Sequence, residues 1–300
     1  MGVEGSIPST GIIIGSDQRF LFRLRVVQAQ SRSGSAIRLR TSRKTPMKKV
    51  YNVPLYYEIA FSFMNIKKQI DCFEKISRKY GIKPKRFLDI ACGPSLQLRE
   101  IAKRGYEAIG LDASSEMLDY LKEKAKKDNL EIETIKADMY DFKLGKKADF
   151  AFIMLGSLTP PSNKAFLNHL DSVASSLNKH GIYFIQNNVF AKKLEEKMSW
   201  TRNKRGISVK TAYKSKILNP LDQIIKEELV LDVNDNGKKK RFYHAKEFKF
   251  ITPQEFKLLI EKNNKFEFLG WYEGNLNEWF LNKPLEKKYN PLNCILLRKK

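Results

Sequence analysis

The residues best suited to chemistry stand in one short string, Phe87-Leu88-Asp89-Ile90-Ala91-Cys92-Gly93-Pro94-Ser95. An apolar run leads into an acid and then into a turn of small residues. Small residues let backbone approach a ligand closely, and open α/β sheets take ligands at the carboxyl ends of their strands. The turn that cradles a dinucleotide pyrophosphate prefers three glycines. Here only Gly93 remains, and Asp89 precedes it. A carboxylate is unfavourable beside phosphates, but it can bind an ammonium or order water around one. The string favours a cationic nucleoside ligand over a dinucleotide.

Two more acids end the next apolar runs. Asp112 closes Ile109-Gly110-Leu111-Asp112, 23 residues after Asp89. An acid about there can accept hydrogen bonds from ribose hydroxyls. Met117 follows five residues later, where soft apolar surface could cover an adenine face. Asp138, in Ala137-Asp138-Met139, could accept from an exocyclic amine. Tyr57, Gly156, Asn187 and Trp200 are substrate-side candidates, each with a plainer role in packing or turns. His169, His180 and His244 share no spacing and are read as neither metal ligands nor catalytic groups. Cys72, Cys92 and Cys294 are far apart and odd in number, which argues against a disulfide framework, a zinc site and an oxidising compartment.

These residues need strand ends to carry them. Apolar and aromatic residues recur at helical spacing from Phe63 to Ile76, so residues 54–80 are expected to form a lead-in helix, ended by Gly81 and Pro84. Strands are expected at 86–91, 108–111, 132–136, 148–155 and 181–186, with helices at 96–104, 115–128 and 163–177 between them. Repeated strand–helix units predict a parallel sheet with helices on both faces. After Trp200 the period becomes two: Ile207, Val209, Thr211 and Tyr213, then Leu229, Leu231 and Val233, then Phe242, Phe248 and Phe250. Asp235-Asn236-Gly237 supplies a hairpin turn between the second and third runs. Residues 200–250 are therefore an expected antiparallel β insertion. Thr252-Pro253-Gln254-Glu255 reads as a capping box with Pro at the first helical position. Two last strands follow, at 266–271 and 294–297.

In order and spacing these residues resemble class I S-adenosylmethionine-dependent methyltransferases, over about residues 50–187 and the final two strands. That resemblance implies a Rossmann-like, seven-stranded, mostly parallel sheet with helices on both faces, and S-adenosyl-L-methionine as cofactor. The family's acid-x-Gly-x-Gly-x-Gly pattern falls on Asp89, Ala91, Gly93 and Ser95, with two glycines replaced by small residues. Its ribose-binding acid falls on Asp112, its adenine-packing residue on Met117 and its residue near the adenine amine on Asp138. Leu155 and Gly156 follow the fourth strand, where the family contacts cofactor and substrate. Val53-Pro54-Leu55-Tyr56-Tyr57-Glu58 resembles the aromatic-acidic lead-in of small-molecule methyltransferases, which can cover the cofactor.

The first 46 residues differ from the rest. They hold seven Arg and one Lys, whereas eight Arg and forty Lys follow from Met47 onward. The segment is Ser- and Gly-rich and lacks helical periodicity. A transit peptide has such a composition. The preferred reading is an over-extended reading frame with Met47 as the start, because Gly5-Ser6-Ile7-Pro8 matches what the T-arm of a transfer-RNA gene would encode. A flexible tail is the third possibility, and residues 47–300 are taken as the methyltransferase domain, with its cofactor-binding core at 84–190. The formal charge of the chain is +23, and from Met47 onward 48 basic residues face 31 acidic ones, a net +17. A basic surface suits RNA, but the Lys residues are spread along the chain. The expected function is methyl transfer to a small-molecule acceptor in the cytoplasm. The alternatives are an RNA methyltransferase and a non-catalytic cofactor-binding scaffold. No apolar run approaches the ~20 residues of a membrane span.

Overall fold

The computed structural model describes residues 49–186, 195–274, 279–284 and 293–300. The expectations for residues 1–46 and for Asn187 lie outside the described residues. Val50–Asn52 forms a 3-10 turn. The chain then runs through α1 (Pro54–Ala60), α2 (Ile66–Lys79), β1 (Arg86–Ile90), α3 (Leu96–Lys103), β2 (Glu107–Asp112), α4 (Ser115–Lys127), β3 (Glu133–Lys136), β4 (Ala148–Ile153), α5 (Asn163–Ser176) and β5 (Leu177–Gln186). It continues through β6 (Glu196–Lys204), β7 (Ile207–Asn219), β8 (Ile224–Asp235), β9 (Lys238–Lys249), α6 (Pro253–Asn263), β10 (Phe266–Gly274), β11 (Trp279–Pro284) and β12 (Cys294–Lys299).

The main sheet has the order β11-β10-β12-β5-β4-β1-β2-β3. Strands β1 to β5 pair in parallel, and β12, β10 and β11 close the far edge in antiparallel pairing. These are the seven expected strands plus β11 at the edge. Alternation along β1 sends Phe87 into one apolar cluster and Leu88 and Ile90 into another, one on each face of the sheet. From β1 the chain steps outward to β2 and β3, then returns to β4 on the other side. That reversal makes the carboxyl ends of β1 and β4 the switch point where such sheets take ligands.

Two local differences from the sequence expectations have clear causes. The lead-in is not one helix. It breaks at 61–65, where Ser62 Oγ bonds back to Ile59 O at 2.8 Å and Asn65 caps α2 by accepting from Lys68 N at 3.1 Å. Short polar side chains compete with the helical ladder in this way. The capping box at Thr252 also does not form. Pro253 takes its N-terminal position, but no Thr252 side-chain bond caps α6. Glu255 instead accepts from Asn163 Nδ2 at 2.8 Å and Gln223 Nε2 at 3.0 Å, and pairs with Lys249 at 3.0 Å. It clasps α5, the insertion and α6 together.

The insertion is a four-stranded meander, β6-β7-β8-β9, with one more strand than the alternation revealed. Its two end hairpins turn on Arg205-Gly206 and Asn236-Gly237, all four residues with positive φ. Such turns match the right-handed twist of the flanking strands. One face of the sheet buries Val209, Leu231, Val233 and Phe242 against Val50, Tyr56, Ile59 and Ala60 of the lead-in. Among the described residues, no helix is long and apolar enough to cross a membrane.

Candidate functional site

The backbone is strained at the switch point. Ala91, Gly93 and Ser95 after β1, and Leu155 and Gly156 after β4, all have positive φ, from 23° to 68°. Left-handed backbone at non-glycine residues costs energy and clusters where ligands are gripped. These five sequence candidates therefore stand at the ends of two adjacent strands.

Asp89 is buried at the end of β1, and its Oδ2 accepts from Ser95 Oγ at 2.6 Å. Ser95 Oγ in turn accepts from Leu98 N at 3.0 Å and caps α3. Burial pushes the Asp89 carboxyl up to about 8; the Ser95 hydrogen bond opposes this and the charge of Asp112 adds to it. Asp112 does two jobs. Its Oδ2 accepts from Gly93 N at 2.7 Å and its Oδ1 from Ser114 N at 2.8 Å, so it ties the loop after β1 to the start of α4. Burial raises its pKa against those backbone bonds. Met117 is buried in the first turn of α4, with its N–H on Ser114 Oγ at 3.3 Å.

Asp138 is exposed in the turn after β3, where its Oδ1 accepts from Tyr140 N at 2.9 Å. His169 holds that turn from behind: Nδ1 lies 2.7 Å from Met139 O and Nε2 lies 2.6 Å from Tyr183 OH. A carbonyl only accepts, so Nδ1 carries the proton and Nε2 accepts from the phenol. Burial lowers the His169 pKa to about 4, which keeps the ring neutral. Leu155 N donates to Gln186 Oε1 at 3.2 Å and joins the ends of β4 and β5.

The other wall of the cleft comes from the lead-in and the insertion. Tyr51 and Tyr57 have ring centroids 5.9 Å apart. Burial pushes the Tyr51 phenol up to about 12, with Glu227 and Asp112 adding to the rise. Tyr57 is raised by burial, then by Tyr51 and Asp112. Tyr51 O accepts from Ser114 Oγ at 3.2 Å and its ring meets His244, so the pair stands between the start of α4 and the inner face of the insertion. On that face two neighbouring rows read Tyr213, Leu229, His244 and Ser215, Glu227, Lys246. Tyr213 OH donates to Glu227 Oε1 at 2.5 Å. Lys246 Nζ lies 3.4 Å from Glu227 Oε2 and donates to Thr159 Oγ1 at 3.2 Å, in the loop after β4. His244 meets Tyr51 edge to face at 4.5 Å.

Trp200 is not among these groups. Its Nε1 donates to Ala60 O at 2.7 Å, and its ring packs edge-on to Phe61 and Phe63, so it clamps the end of α1. Buried Glu58 fixes the same helix through Lys204 at 3.1 Å and Arg99 at 3.5 Å. Tyr51, Tyr213, Glu227 and Lys246 were missed as site candidates, and His244 was read as neither a metal ligand nor a catalytic group. Period-two alternation placed Tyr213 on one face with Thr211 and Val209, but strand pairing alone brings it beside Leu229 and His244. Among the described residues, no group of His, Cys, Asp and Glu could hold a metal ion.

The donor set fits a nucleoside that carries a cation. A cationic group near Asp89 would offset the cost of ionising its buried carboxyl. Each oxygen of Asp112 has one backbone partner in hand and lone-pair capacity for a hydroxyl.

Residues 87–181 match the family model described as a methyltransferase domain. Among solved structures, the chain resembles an S-adenosylmethionine-dependent methyltransferase from Clostridium acetobutylicum at 16% identity and a TM-score of 0.67, covering 81% of this chain and 96% of that one. It also resembles the S-adenosylmethionine-bound amino pentose methyltransferase CalS10 from Micromonospora echinaspora, at 15% identity, TM-score 0.63, and 81% and 96% coverage. The sugar N-methyltransferase KedS8 from Streptoalloteichus matches at 15% identity and a TM-score of 0.63, over 92% of this chain and 99% of that one. No curated protein sequence matches the chain.

Proposed function

We propose that this S-adenosylmethionine-dependent methyltransferase acts on a small polar acceptor, enclosed between the lead-in tyrosines and the inner face of the β insertion. The observation that carries the reading is the direct meeting of those two parts. Tyr51 packs on His244 and Lys49 bridges to Tyr243, while Ser114 after β2 bonds Tyr51 O and Lys246 reaches Thr159 after β4, so the joined parts reach the ends of β2 and β4 as a roof. A roof of this kind suits a small molecule and obstructs a polymer. The solved sugar N-methyltransferase and amino pentose methyltransferase of similar fold lend support, since their acceptors are small.

In this reading Asp112 accepts from the ribose hydroxyls, and the backbone of Ala91, Gly93 and Ser95 lets the cofactor approach. Asp89 faces its ammonium, directly or through water. Met117 lies towards the adenine face, Asp138 towards the adenine amine, and Leu155 against the cofactor at the end of β4. Tyr57 and Gly156 border the acceptor, and Trp200 braces the roof. S-adenosylmethionine supplies a methyl group on a sulfonium. The protein's part is to place a nucleophile in line with that methyl, and proximity of this kind can contribute ~7–11 kcal/mol.

The basic surface favours the second reading, RNA methylation. Lys238, Lys239, Lys240 and Arg241 are all exposed where β9 leaves its hairpin. A screen of the purified full chain for S-adenosylhomocysteine release, against metabolite and RNA pools, separates the readings. Release with a small-molecule fraction, with little change from low to physiological salt, is expected. Turnover on RNA that weakens steeply with salt, as counterion release requires, would replace this reading with the other. Cofactor binding with no turnover on any pool would leave a scaffold.

A further inference from the structure

We infer that His244 is the group that accepts a hydrogen bond from the acceptor's nucleophilic N–H or O–H, and then takes the proton where that group is a hydroxyl. The inference rests on the enclosed-acceptor reading above and adds a role to a residue that packing does not explain.

Position comes first. His244 lies mid-strand in β9, paired with Leu229 of β8, which pairs in turn with Tyr213 of β7. All three share the face that packs on the lead-in. The imidazole is half-buried, edge-on to Tyr51, and Tyr51 itself senses Asp112. Tyr51 links His244 to the end of β2, since its backbone O accepts from Ser114 Oγ at 3.2 Å and Ser114 N bonds Asp112.

Its bonding comes next. Two of the polar groups around it are satisfied: Tyr213 by Glu227, and Lys246 by Glu227 and Thr159. Among the described residues, neither ring nitrogen of His244 has a hydrogen-bond partner. The contrast with His169 is direct, because that imidazole has both nitrogens bonded to protein. Half-buried polar atoms left without a protein partner are ready for a ligand or water.

Charge decides which form is present. The titratable groups facing His244 are Lys49 and Tyr51 from the lead-in, Tyr213 from β7, Glu227 from β8 and Lys246 from its own strand. Burial lowers its pKa to about 4, and the positive charges of Lys246 and Lys49 add to this. The ring is therefore neutral at physiological pH, with one nitrogen able only to accept. A neutral acceptor nitrogen orients the lone pair of an N–H or O–H nucleophile by taking its hydrogen. As the new bond to the methyl carbon forms, the carbon–sulfur bond breaks and its electron pair stays on sulfur. A hydroxyl nucleophile becomes an oxonium at that moment, a far stronger acid than imidazolium. Its proton passes to the imidazole, and the nearby lysines then favour its loss to water.

The test uses the full chain and two readouts. In the first, the acceptor returned by the metabolite screen is used to compare the parent with His244→Ala and His244→Asn, both checked by thermal melting. Expected for His244→Ala are a fall in kcat of about 100-fold, a KM within about threefold, unchanged S-adenosylhomocysteine affinity by calorimetry, and loss of the acidic limb of the pH profile. His244→Asn should recover part of kcat, because it keeps an acceptor but cannot take the proton. A kcat within about threefold of the parent, with the acidic limb intact, would overturn the inference. In the second, NMR of the labelled imidazole with S-adenosylhomocysteine bound should show a ring that stays neutral well below pH 6. Titration near the ordinary histidine value would overturn it independently of any acceptor. If the parent turns over no small molecule at all, it is the enclosed-acceptor reading that fails, and the NMR result still decides the state of His244.

Discussion

On one side of the cleft, Asp89, Gly93, Ser95 and Asp112 hold one another within residues 89–112, through hydrogen bonds of 2.6 and 2.7 Å. On the other side, Tyr51, Tyr213, Glu227 and His244 meet only because residues 51–244 fold back on themselves. The first wall is local, strained in its backbone and made of one buried acid, Asp89, and one half-buried acid, Asp112. The second is non-local, set by strand register and made of phenols, one ion pair and an imidazole. A wall of the first kind can be carried by a short motif. The second depends on every pairing between the lead-in and the insertion, so its chemistry can change without disturbing the first.

That contrast can be broken or sharpened by substitution. The largest effect is expected at Asp89. Its native carboxyl keeps a proton that the unfolded chain has already released between about pH 4 and pH 8. The free protein therefore loses stability as pH rises through that window, and above it the full cost of the buried charge is present. Asp89→Asn removes the cost. The variant should be more stable than the parent at pH 9, on the order of 5 kcal/mol, while binding S-adenosylhomocysteine more weakly. Urea melts from pH 5 to pH 9 measure the first effect; equal slopes for both proteins would contradict it.

Next comes Glu58, on the non-local wall. Removing it leaves Arg99 with Asp128 alone and Lys204 without its buried partner. Glu58→Ala should cost about 3 kcal/mol, measured by chemical denaturation, because it detaches α1 from both β6 and α3. A loss below about 1 kcal/mol would mean that the apolar contacts of α1 hold the roof without it. Asp112→Ala is smaller in energy but selective in kind. It should weaken S-adenosylhomocysteine by about 1–3 kcal/mol and free the loop at Gly93, with little change in melting temperature. Unchanged affinity by calorimetry in a folded variant would remove Asp112 from the site. The smallest effect is expected at the hairpin tip, where Gly237→Ala, at φ +88°, should cost about 1 kcal/mol. Cofactor affinity should not move, since the tip belongs to the insertion.

The same contrast explains what could be read in advance. The alternation of strands and helices, the strand-end acids and the insertion's hairpin turn all depend on residues near one another in the chain. Strand β6 was not legible, because one face is polar and the other carries an exposed Met198 beside half-buried Trp200 and Arg202, too varied for alternation to stand out. The break of the lead-in at Asn65 was hidden by apolar residues that keep helical spacing across it. Glu255 read as a capping residue because its local setting matches one, whereas Asn163, Gln223 and Lys249 compete for it from elsewhere. Trp200 read as a pocket residue for want of knowing that Ala60 O would lie within reach. His244 carried no motif at all: its place depends on the register of three strands and on a tyrosine far upstream.

The packing of α1 on the insertion also sets an order of events during synthesis. The meander from β6 to β9 pairs only neighbours in sequence, so its hairpins can form as soon as they emerge. The apolar side of α1, with Tyr56, Ile59 and Ala60, leaves the ribosome well before them. At ~5–20 residues per second, the roughly 135 residues between Ala60 and Glu196 take about 7–27 s to translate. For that interval the lead-in has no native partner on its insertion side. The nascent chain must therefore carry an exposed aromatic helix past the whole parallel core, and a chaperone that binds such segments would find its site there.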